Sequence, residues 1–197
     1  SKKKRFTSTA KRDILKDVNL EPLSVTKDSL ARVKRFDCDT LDQPMQAKLQ
    51  NEHKKLLISI SGKPGGTEAG ATYSMQMKPL HKVVGKDGAA KVHIPKEKEP
   101  YIAMHTHPTG GTFTHADLNL FARDEYMRML TAVGNNGVVY AVEKTDEFDI
   151  LKFKRYTNLV KERHPNYLST PEEYTKYMQD FLKGIDICGI RYYTAGT

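Results

Sequence analysis

The chain has little cysteine and no long apolar run, and each absence excludes a class of protein. Cys38 and Cys188 are its only cysteines, too few for a disulfide-stapled scaffold, and they form no paired-cysteine zinc motif. No run of about 18 apolar residues occurs, so we expect no membrane span. No charged segment followed by an apolar one marks a secretory signal. The expected setting is a reducing one, the cytoplasm.

Positive charge is concentrated in the first part of the sequence. Residues 1–55 hold 14 Lys and Arg against 8 Asp and Glu, whereas residues 56–197 are nearly balanced at 18 against 16. The run Lys2-Lys3-Lys4-Arg5 opens the basic part. Such a run is typical either of an arm that binds nucleic acid or of a solvated charged terminus. We expect a basic, helical or partly flexible lead-in over 1–40 and one main domain over 41–197.

Apolar spacing predicts a mixture of helices and strands. Leu49, Leu56 and Ile60 recur at helical spacing and predict a helix over Pro44–Ser59, although the end of this run also fits a short strand. Weaker helical patterns occur at 11–18 and 29–36. Alternation and short apolar runs predict strands at 67–75, 101–104, 138–142 and 190–193, and a hairpin of 81–84 with 90–94.

Two further helices follow from periodicity and from capping residues. Leu118, Phe121 and other apolar residues predict a helix over Ala116–Ala132. Thr170 precedes Pro171, with Glu173 three residues after the threonine, which is a helix-start signature. Neither repeats nor low-complexity tracts occur. The expected fold class is α/β (α+β), a mixed sheet flanked by helices.

Two histidines and an aspartate have the spacing of metal ligands. His105 and His107 stand two apart at the end of a predicted strand, so both side chains point to the same face. Asp117 follows ten positions after His107, where a helix begins. Two imidazoles and a carboxylate suit Zn²⁺, and three protein ligands leave a fourth position for water. That water would become a nucleophile near neutral pH.

Thr114 lies three residues before Asp117, after a Pro-Thr-Gly-Gly turn. Its hydroxyl has two chemical uses at this position. It can cap the helix, with Asp117 as the third helical residue, or it can donate to a developing oxyanion. The sequence leaves both open.

Residues 105–117 read H-T-H-P-T-G-G-T-F-T-H-A-D and resemble the motif of the JAB/MPN (JAMM) metalloprotease superfamily. The Pro and Gly after the second histidine are most similar to its RadC-like, phage and mobile-element branches. The resemblance covers roughly residues 42–145. It implies a cytidine-deaminase-like, JAB/MPN-type fold and a zinc metallohydrolase that cuts peptide or isopeptide bonds in a protein or peptide substrate.

Carried over position by position, the resemblance implies a role for each matching residue. His105, His107 and Asp117 would be the metal ligands. Glu68, on a strand that follows a helix and the glycine-rich loop at 62–66, would be the general acid/base for the metal-bound water. A carboxylate can take a proton from water and pass it to a leaving amine. Thr114 would hold the serine position and stabilise the tetrahedral intermediate.

Two departures from the family pattern concern catalysis more than metal binding. Six residues separate His107 from Thr114, one fewer than the family pattern has. Thr also replaces Ser, which keeps the hydroxyl but restricts χ1. A slip of one residue would put His115 at the serine position but would lose the two-residue gap to Asp117. His115 could otherwise line the site, bind a second ion or begin the helix at the surface.

Other candidate residues have less support from spacing. Glu97 and Glu99 are rivals to Glu68 but lie in a charged segment too close to the histidines. The remaining histidines lack partner spacing, so structural roles are expected for them: His53, His81, His93 and His164. The ten tyrosines fit either a peptide-binding groove or ordinary packing.

The alternative function is a non-catalytic or weakly active protein that retains the metal-binding fold. It would be a structural or DNA-associated protein of a phage or mobile element, found in the cytoplasm or in a virion. The basic lead-in would then contact nucleic acid or another phage or mobile-element protein. A purely structural zinc site would be closed by a fourth protein ligand, for which His115 is the candidate.

Overall fold

The structure is a computed structural model that describes residues 21–87 and 92–197. Within these ranges it contains five α-helices: α1 (Lys27–Arg32), α2 (Gln43–Ile60), α3 (His115–Arg123), α4 (Ile150–Arg163) and α5 (Pro171–Lys183). It also contains six strands: β1 (Ala69–Ser74), β2 (Pro79–Val84), β3 (Tyr101–His107), β4 (Met127–Gly134), β5 (Val139–Lys144) and β6 (Ile190–Ala195). The helix predicted at 11–18 and the basic run Lys2–Arg5 lie outside the described residues.

All six strands belong to one mixed sheet with the order β2-β1-β3-β4-β5-β6. β3 and β4 pair in parallel, whereas the other neighbouring strands are antiparallel. A parallel pair needs a crossover connection, and α3 supplies it between β3 and β4. The predicted fold class, a mixed sheet flanked by helices, is confirmed.

Helices cover both faces of the sheet. On one face α3, α4 and α5 pack against residues such as Tyr101, Ala103 and Leu130. On the other face α2 packs against Ile102 and Met104. Strand β3 is therefore buried on both sides, which explains why its sequence is a continuous apolar run without alternation.

Helix α2 begins and ends close to its predicted bounds. Asp42 caps it by accepting a hydrogen bond from Met45 N, and Pro44 lies in its first turn, where a missing N–H costs nothing. His53 projects from its buried side, and its Nε2 lies 2.7 Å from Thr131 Oγ1. Burial lowers the pKa of His53 to about 3. His53 therefore has the expected structural role, in a fully buried position.

The predicted helix over Ala116–Ala132 is wrong in its second half. Helix α3 ends at Arg123, and residues 127–134 form β4. Asp124 ends the helix because its Oδ1 accepts hydrogen bonds from Tyr126 N and Met127 N. Central strand β4 is covered on both faces, so its apolar residues show no two-residue period that could have distinguished them from a helix.

The predicted hairpin of 81–84 with 90–94 is also wrong. β2 pairs with β1 instead, and residues 92–94 form no strand, while 90 and 91 lie outside the described residues. Ile94 crosses the sheet face at Gly70, where a Cβ atom would lie 3.0 Å from Ile94 Cγ1. The absence of a side chain at Gly70 thus allows this segment to lie over the sheet.

Within 21–87 and 92–197, no helix is both long and apolar enough to cross a bilayer.

Candidate metal centre

His105 and His107 lie on the face of β3 that is covered by α3, and Asp117 lies in the first turn of α3. The two Nε2 atoms are 2.7 Å apart. Nε2 of His105 lies 3.6 Å from Asp117 Oδ1, and Nε2 of His107 lies 3.4 Å from Asp117 Oδ2. One ligand atom from each residue falls within 4.8 Å of the others, and no other such group of three or more occurs among the described residues. The structure thus brings together the three predicted ligands.

The loop between β3 and α3 has the tight turn that its glycines predict. Gly110 has φ +76°, and its N–H donates to the carbonyl of His107. A Cβ atom at Gly110 would lie 2.5 Å from Asn136 Nδ2. Tyr140 donates its hydroxyl proton to the carbonyl of Gly110. Glycine is therefore required for both conformation and space, and the turn carries the chain directly from the histidines to Asp117.

Thr114 and Asp117 form a reciprocal capping box at the start of α3. Thr114 Oγ1 accepts from Asp117 N at 3.2 Å, and Asp117 Oδ2 accepts from Thr114 N at 2.9 Å. The cap fixes the Asp117 carboxylate in the direction of the histidines. Of the two uses open to the Thr114 hydroxyl, the structure shows the cap.

The imidazole of His107 is oriented by its second ring nitrogen. Nδ1 lies 2.7 Å from the carbonyl oxygen of Gly111. Since a carbonyl only accepts, Nδ1 carries the proton in the neutral ring, and Nε2 presents its lone pair toward Asp117 and His105. A backbone carbonyl in this position is a common support for a metal-ligating histidine.

His105 directs one ring nitrogen at the other two potential ligands. Among the described residues its Nδ1 is buried without a hydrogen-bond partner. Its Nε2 has polar contacts with His107 and Asp117, which are the other two potential ligands. Nε2 is therefore the ring nitrogen that a cation held with His107 and Asp117 would use, and burial of the unpartnered Nδ1 is a separate cost.

The electrostatics keep Asp117 in its charged form. Burial by itself would raise the pKa of this carboxyl, but the imidazoles of His105 and His107 hold it well below its usual value. For His107 the directions are reversed. Burial by itself would lower the pKa of this imidazole, but the Asp117 carboxylate raises it above its usual value. Asp117 is therefore available as an anionic ligand across the ordinary pH range.

Glu68 lies beside the three ligands but is not one of them. Gly70 pairs with His105 in the antiparallel register, and two further residues along that register bring Glu68 opposite His107. Its carboxylate is one of the charges that raise the pKa of His107. Glu68 is half-buried just before β1 and outside the group of three ligand atoms. A carboxylate close to a metal site without ligating the metal can serve as a proton carrier.

His115 is not brought to the ligands. It is the first residue of α3, so the one-residue slip that would have put it at the serine position does not occur. Its Nδ1 lies 3.0 Å from the hydroxyl of Tyr177, and its ring packs edge-on against Phe181. The side chain is half-buried against α5 rather than exposed.

The rival glutamates lie elsewhere. Glu97 Oε1 is 2.6 Å from His81 Nδ1 and accepts from Thr72 Oγ1 at 2.7 Å. Glu99 is exposed in the segment before β3. Neither joins the group of three ligands.

Tyrosines from the last third of the chain support the site, and the sequence analysis missed them. Tyr174 accepts a hydrogen bond from His115 N at 2.8 Å. Tyr192 pairs with Thr112 Oγ1 at 3.1 Å, in the loop before α3. The three-residue spacing of Tyr174 and Tyr177 on a predicted helix was a signal that both lie on one face. Nothing in the sequence showed which surface that face covers.

No family model, curated protein or solved structure matches this chain. The chemistry of the site therefore has to be inferred from its own atoms. Two imidazole nitrogens and a carboxylate oxygen that converge on one point form a ligand set typical of Zn²⁺.

Removing the Thr114 oxygen is expected to weaken the helix start. We expect Thr114→Val to lower the free energy of unfolding by about 1 kcal/mol, because the N–H of Asp117 loses its acceptor. Thr114→Ser keeps that acceptor and should stay within a few tenths of a kcal/mol of the parent. Urea unfolding followed by circular dichroism measures both. Thr175→Val, at an exposed position of α5, is the matched control, and a loss in the control as large as that in Thr114→Val would exclude the cap as the cause.

Proposed function

We propose that this protein is a zinc-dependent metallohydrolase of the JAB/MPN type that cleaves an amide bond in a peptide or isopeptide. The observation that carries the proposal is the convergence of His105, His107 and Asp117 on one point, with Glu68 beside them. The chain order of the elements also supports it, since a long helix, a glycine-rich loop, a glutamate, the histidine strand and the aspartate helix follow one another as the resemblance implies.

The residues present fit a zinc ion. Nε2 of His105, Nε2 of His107 and the carboxylate of Asp117 would hold it, and three protein ligands are the number typical of catalytic zinc sites. When bound, Zn²⁺ acts as a Lewis acid that activates water and polarises the carbonyl to be attacked. Gly111 and Thr114 hold two of the ligands in place through the hydrogen bonds to His107 and Asp117.

Proton transfer is assigned to Glu68. As water adds to the carbonyl carbon, the Glu68 carboxylate accepts the proton that water loses. It then delivers that proton to the departing nitrogen when the C–N bond breaks. The Thr114 hydroxyl oxygen accepts a hydrogen bond from Asp117 N. We assign its hydroxyl proton to a hydrogen bond donated to the oxyanion that develops as water adds.

The alternative, a structural or DNA-associated protein of a phage or mobile element, has less support. A closed structural site would need a fourth protein ligand, and the candidate for that role was His115. Its side chain contacts Tyr177 and Phe181, and in the described part of the chain it is not in the group of ligand atoms. The basic run that favoured the alternative lies outside the described residues.

The metal content of the purified protein tests the proposal. We expect about one Zn²⁺ per chain by mass spectrometry, and little in His107→Ala, because losing one of three protein ligands removes most of the affinity. His93→Ala is the matched control, since His93 is exposed and lies outside the group of ligand atoms. A parent protein that holds no zinc and takes none up would overturn the proposal.

A further inference from the structure

Two tyrosines of α5 contact the first residue of α3, and their hydroxyl groups differ in what they bind. Tyr177 is fully buried, and its hydroxyl oxygen lies 3.0 Å from His115 Nδ1. Tyr174 is half-buried, and its oxygen accepts a hydrogen bond from His115 N at 2.8 Å. A phenol can donate as well as accept, but no described residue accepts the Tyr174 hydroxyl proton. Tyr174 therefore retains a hydrogen-bond donor at the start of α3.

This donor lies at the end of α3 where the candidate metal centre is. The backbone N–H groups in the first turn of a helix have no partner within the helix and point past its N-terminus. Tyr174 accepts from one of these groups, so its hydroxyl lies beyond that end. The Asp117 carboxylate is at the same end, because its Oδ2 accepts from Thr114 N. The Tyr174 hydroxyl and the Asp117 carboxylate are therefore both at the N-terminus of α3, and not on opposite sides of the helix.

Two observations place the Tyr174 hydroxyl close to the residues of the site. Its oxygen is 2.8 Å from His115 N, and that nitrogen is bonded to the Thr114 carbonyl carbon. Standard bond lengths then put the hydroxyl oxygen within about 5 Å of Thr114 Cα. Burial raises the pKa of Tyr174 to about 12, and the negative charge of Asp117 acts in the same direction. The hydroxyl therefore keeps its proton at neutral pH and lies within electrostatic range of a potential metal ligand.

A neutral donor in this place fits the backbone of a peptide. Every residue of a peptide provides a carbonyl oxygen as acceptor, whatever its side chain is. The Thr114 hydroxyl, which caps Asp117, is already assigned to the carbonyl that is attacked. Neighbouring residues of an extended chain are about 3.3–3.6 Å apart. A donor within about 5 Å of Thr114 Cα is thus within reach of the peptide group next to the one that is cleaved.

We propose that Tyr174 is a substrate-binding residue, whose hydroxyl donates to the carbonyl oxygen of the peptide group adjacent to the scissile bond. The inference rests on the proposed function. It makes the substrate a peptide segment that is extended at the metal centre and has a backbone carbonyl next to the bond that is cleaved. Of the two roles that the sequence left open for the tyrosines, packing then belongs to Tyr177 and peptide binding to Tyr174.

Steady-state kinetics of Tyr174→Phe with internally quenched peptides test the proposal. We expect kcat/KM to fall about tenfold, mainly through a higher KM, because the lost hydrogen bond is to a part of the substrate that does not react. Zinc content measured on the same samples should stay at the parent level. Tyr156→Phe is the matched control. It removes a tyrosine hydroxyl that joins α4 to the other end of α5, through the carbonyls of Asp180 and Phe181, and it should retain the parent KM.

A change in the substrate separates a direct contact from a structural effect of Tyr174. Two further peptides have sulfur, a weaker acceptor, in place of the carbonyl oxygen on one or the other side of the scissile bond. One of them should raise the KM of the parent about fivefold but that of Tyr174→Phe less than about twofold, since both changes remove the same hydrogen bond.

The outcomes distinguish this inference from the proposed function. If neither sulfur peptide reduced the difference in KM between the parent and Tyr174→Phe, Tyr174 would act only through the start of α3, and the proposal would be overturned. Unchanged kinetics in Tyr174→Phe, or a loss of its zinc, would also overturn it. Failure of the proposed function shows separately, as a parent protein that holds no zinc and cleaves neither peptides nor isopeptides.

Discussion

Glu68→Gln is expected to lower the rate of amide hydrolysis by about 10²–10⁴-fold while the zinc content stays at the parent level. Glutamine matches glutamate in size and hydrogen-bonds well, but it cannot take up the proton that water loses. Glu68 lies outside the group of ligand atoms, so the substitution leaves the metal ligands unchanged. Initial rates with internally quenched peptides and with an isopeptide substrate, and zinc content on the same samples, measure the two quantities together.

Glu97→Gln is the control for this prediction. Glu97 is a nearby glutamate whose carboxylate is held by His81 and Thr72, and it should retain the parent rate. Similar rates in the parent and Glu68→Gln would exclude Glu68 as the proton carrier. A simultaneous loss of zinc in Glu68→Gln would instead make it a metal ligand, which the proposed mechanism does not allow.

The helices that carry local start signals could be predicted from the sequence. Pro44 and the apolar spacing after it gave α2 to within about a turn, and Thr170 with Pro171 gave the start of α5. In each case the information lies in a few adjacent residues that satisfy the backbone N–H groups of a first turn. As that helix-start signature predicts, the Thr170 hydroxyl accepts a hydrogen bond from Glu173 N.

The elements that were missed depend on distant parts of the chain. β4 is central in the sheet, and burial on both faces removed the alternation that identifies a strand. β2 pairs with β1 rather than with the segment that follows it, and such pairing has no local signature. α4 is the exception, because its signal is local: no helix was predicted there, although Phe153, Tyr156 and Val160 have helical spacing and are buried on one side of it.

The site was predictable where it is compact in sequence. His105, His107, Thr114 and Asp117 lie within one strand end, one turn and one helix start, so spacing alone brings them near each other. The position of Glu68 depends on the antiparallel pairing of β1 with β3, and only the family resemblance had indicated it. Tyr174 and Tyr192 support the site from elements that begin more than 50 residues after Asp117, which no local pattern could reveal.

The largest effect on stability is expected at Glu143, a carboxylate that is only 1% exposed. Its Oε2 accepts from Thr40 N at 3.0 Å and from the Thr40 hydroxyl, and its Oε1 accepts from Asp39 N at 3.3 Å and from the Tyr193 hydroxyl. It thus joins the segment before α2 to β5 and β6. A carboxylate accepts through both oxygens, whereas an amide would direct an NH₂ group at two of these donors.

We therefore expect Glu143→Gln, although nearly isosteric, to lower the free energy of unfolding by about 3 kcal/mol. For a chain of this size, that corresponds to a fall of roughly 6–12 °C in melting temperature, measured by calorimetry. Glu147→Gln, at an exposed position nearby, should leave it unchanged. If Glu143→Gln melted with the parent while Glu143→Ala did not, the side chain would act through its volume and not through its four hydrogen bonds. The segment before α2 would then be attached to the sheet by apolar contacts such as buried Val33 and Leu41.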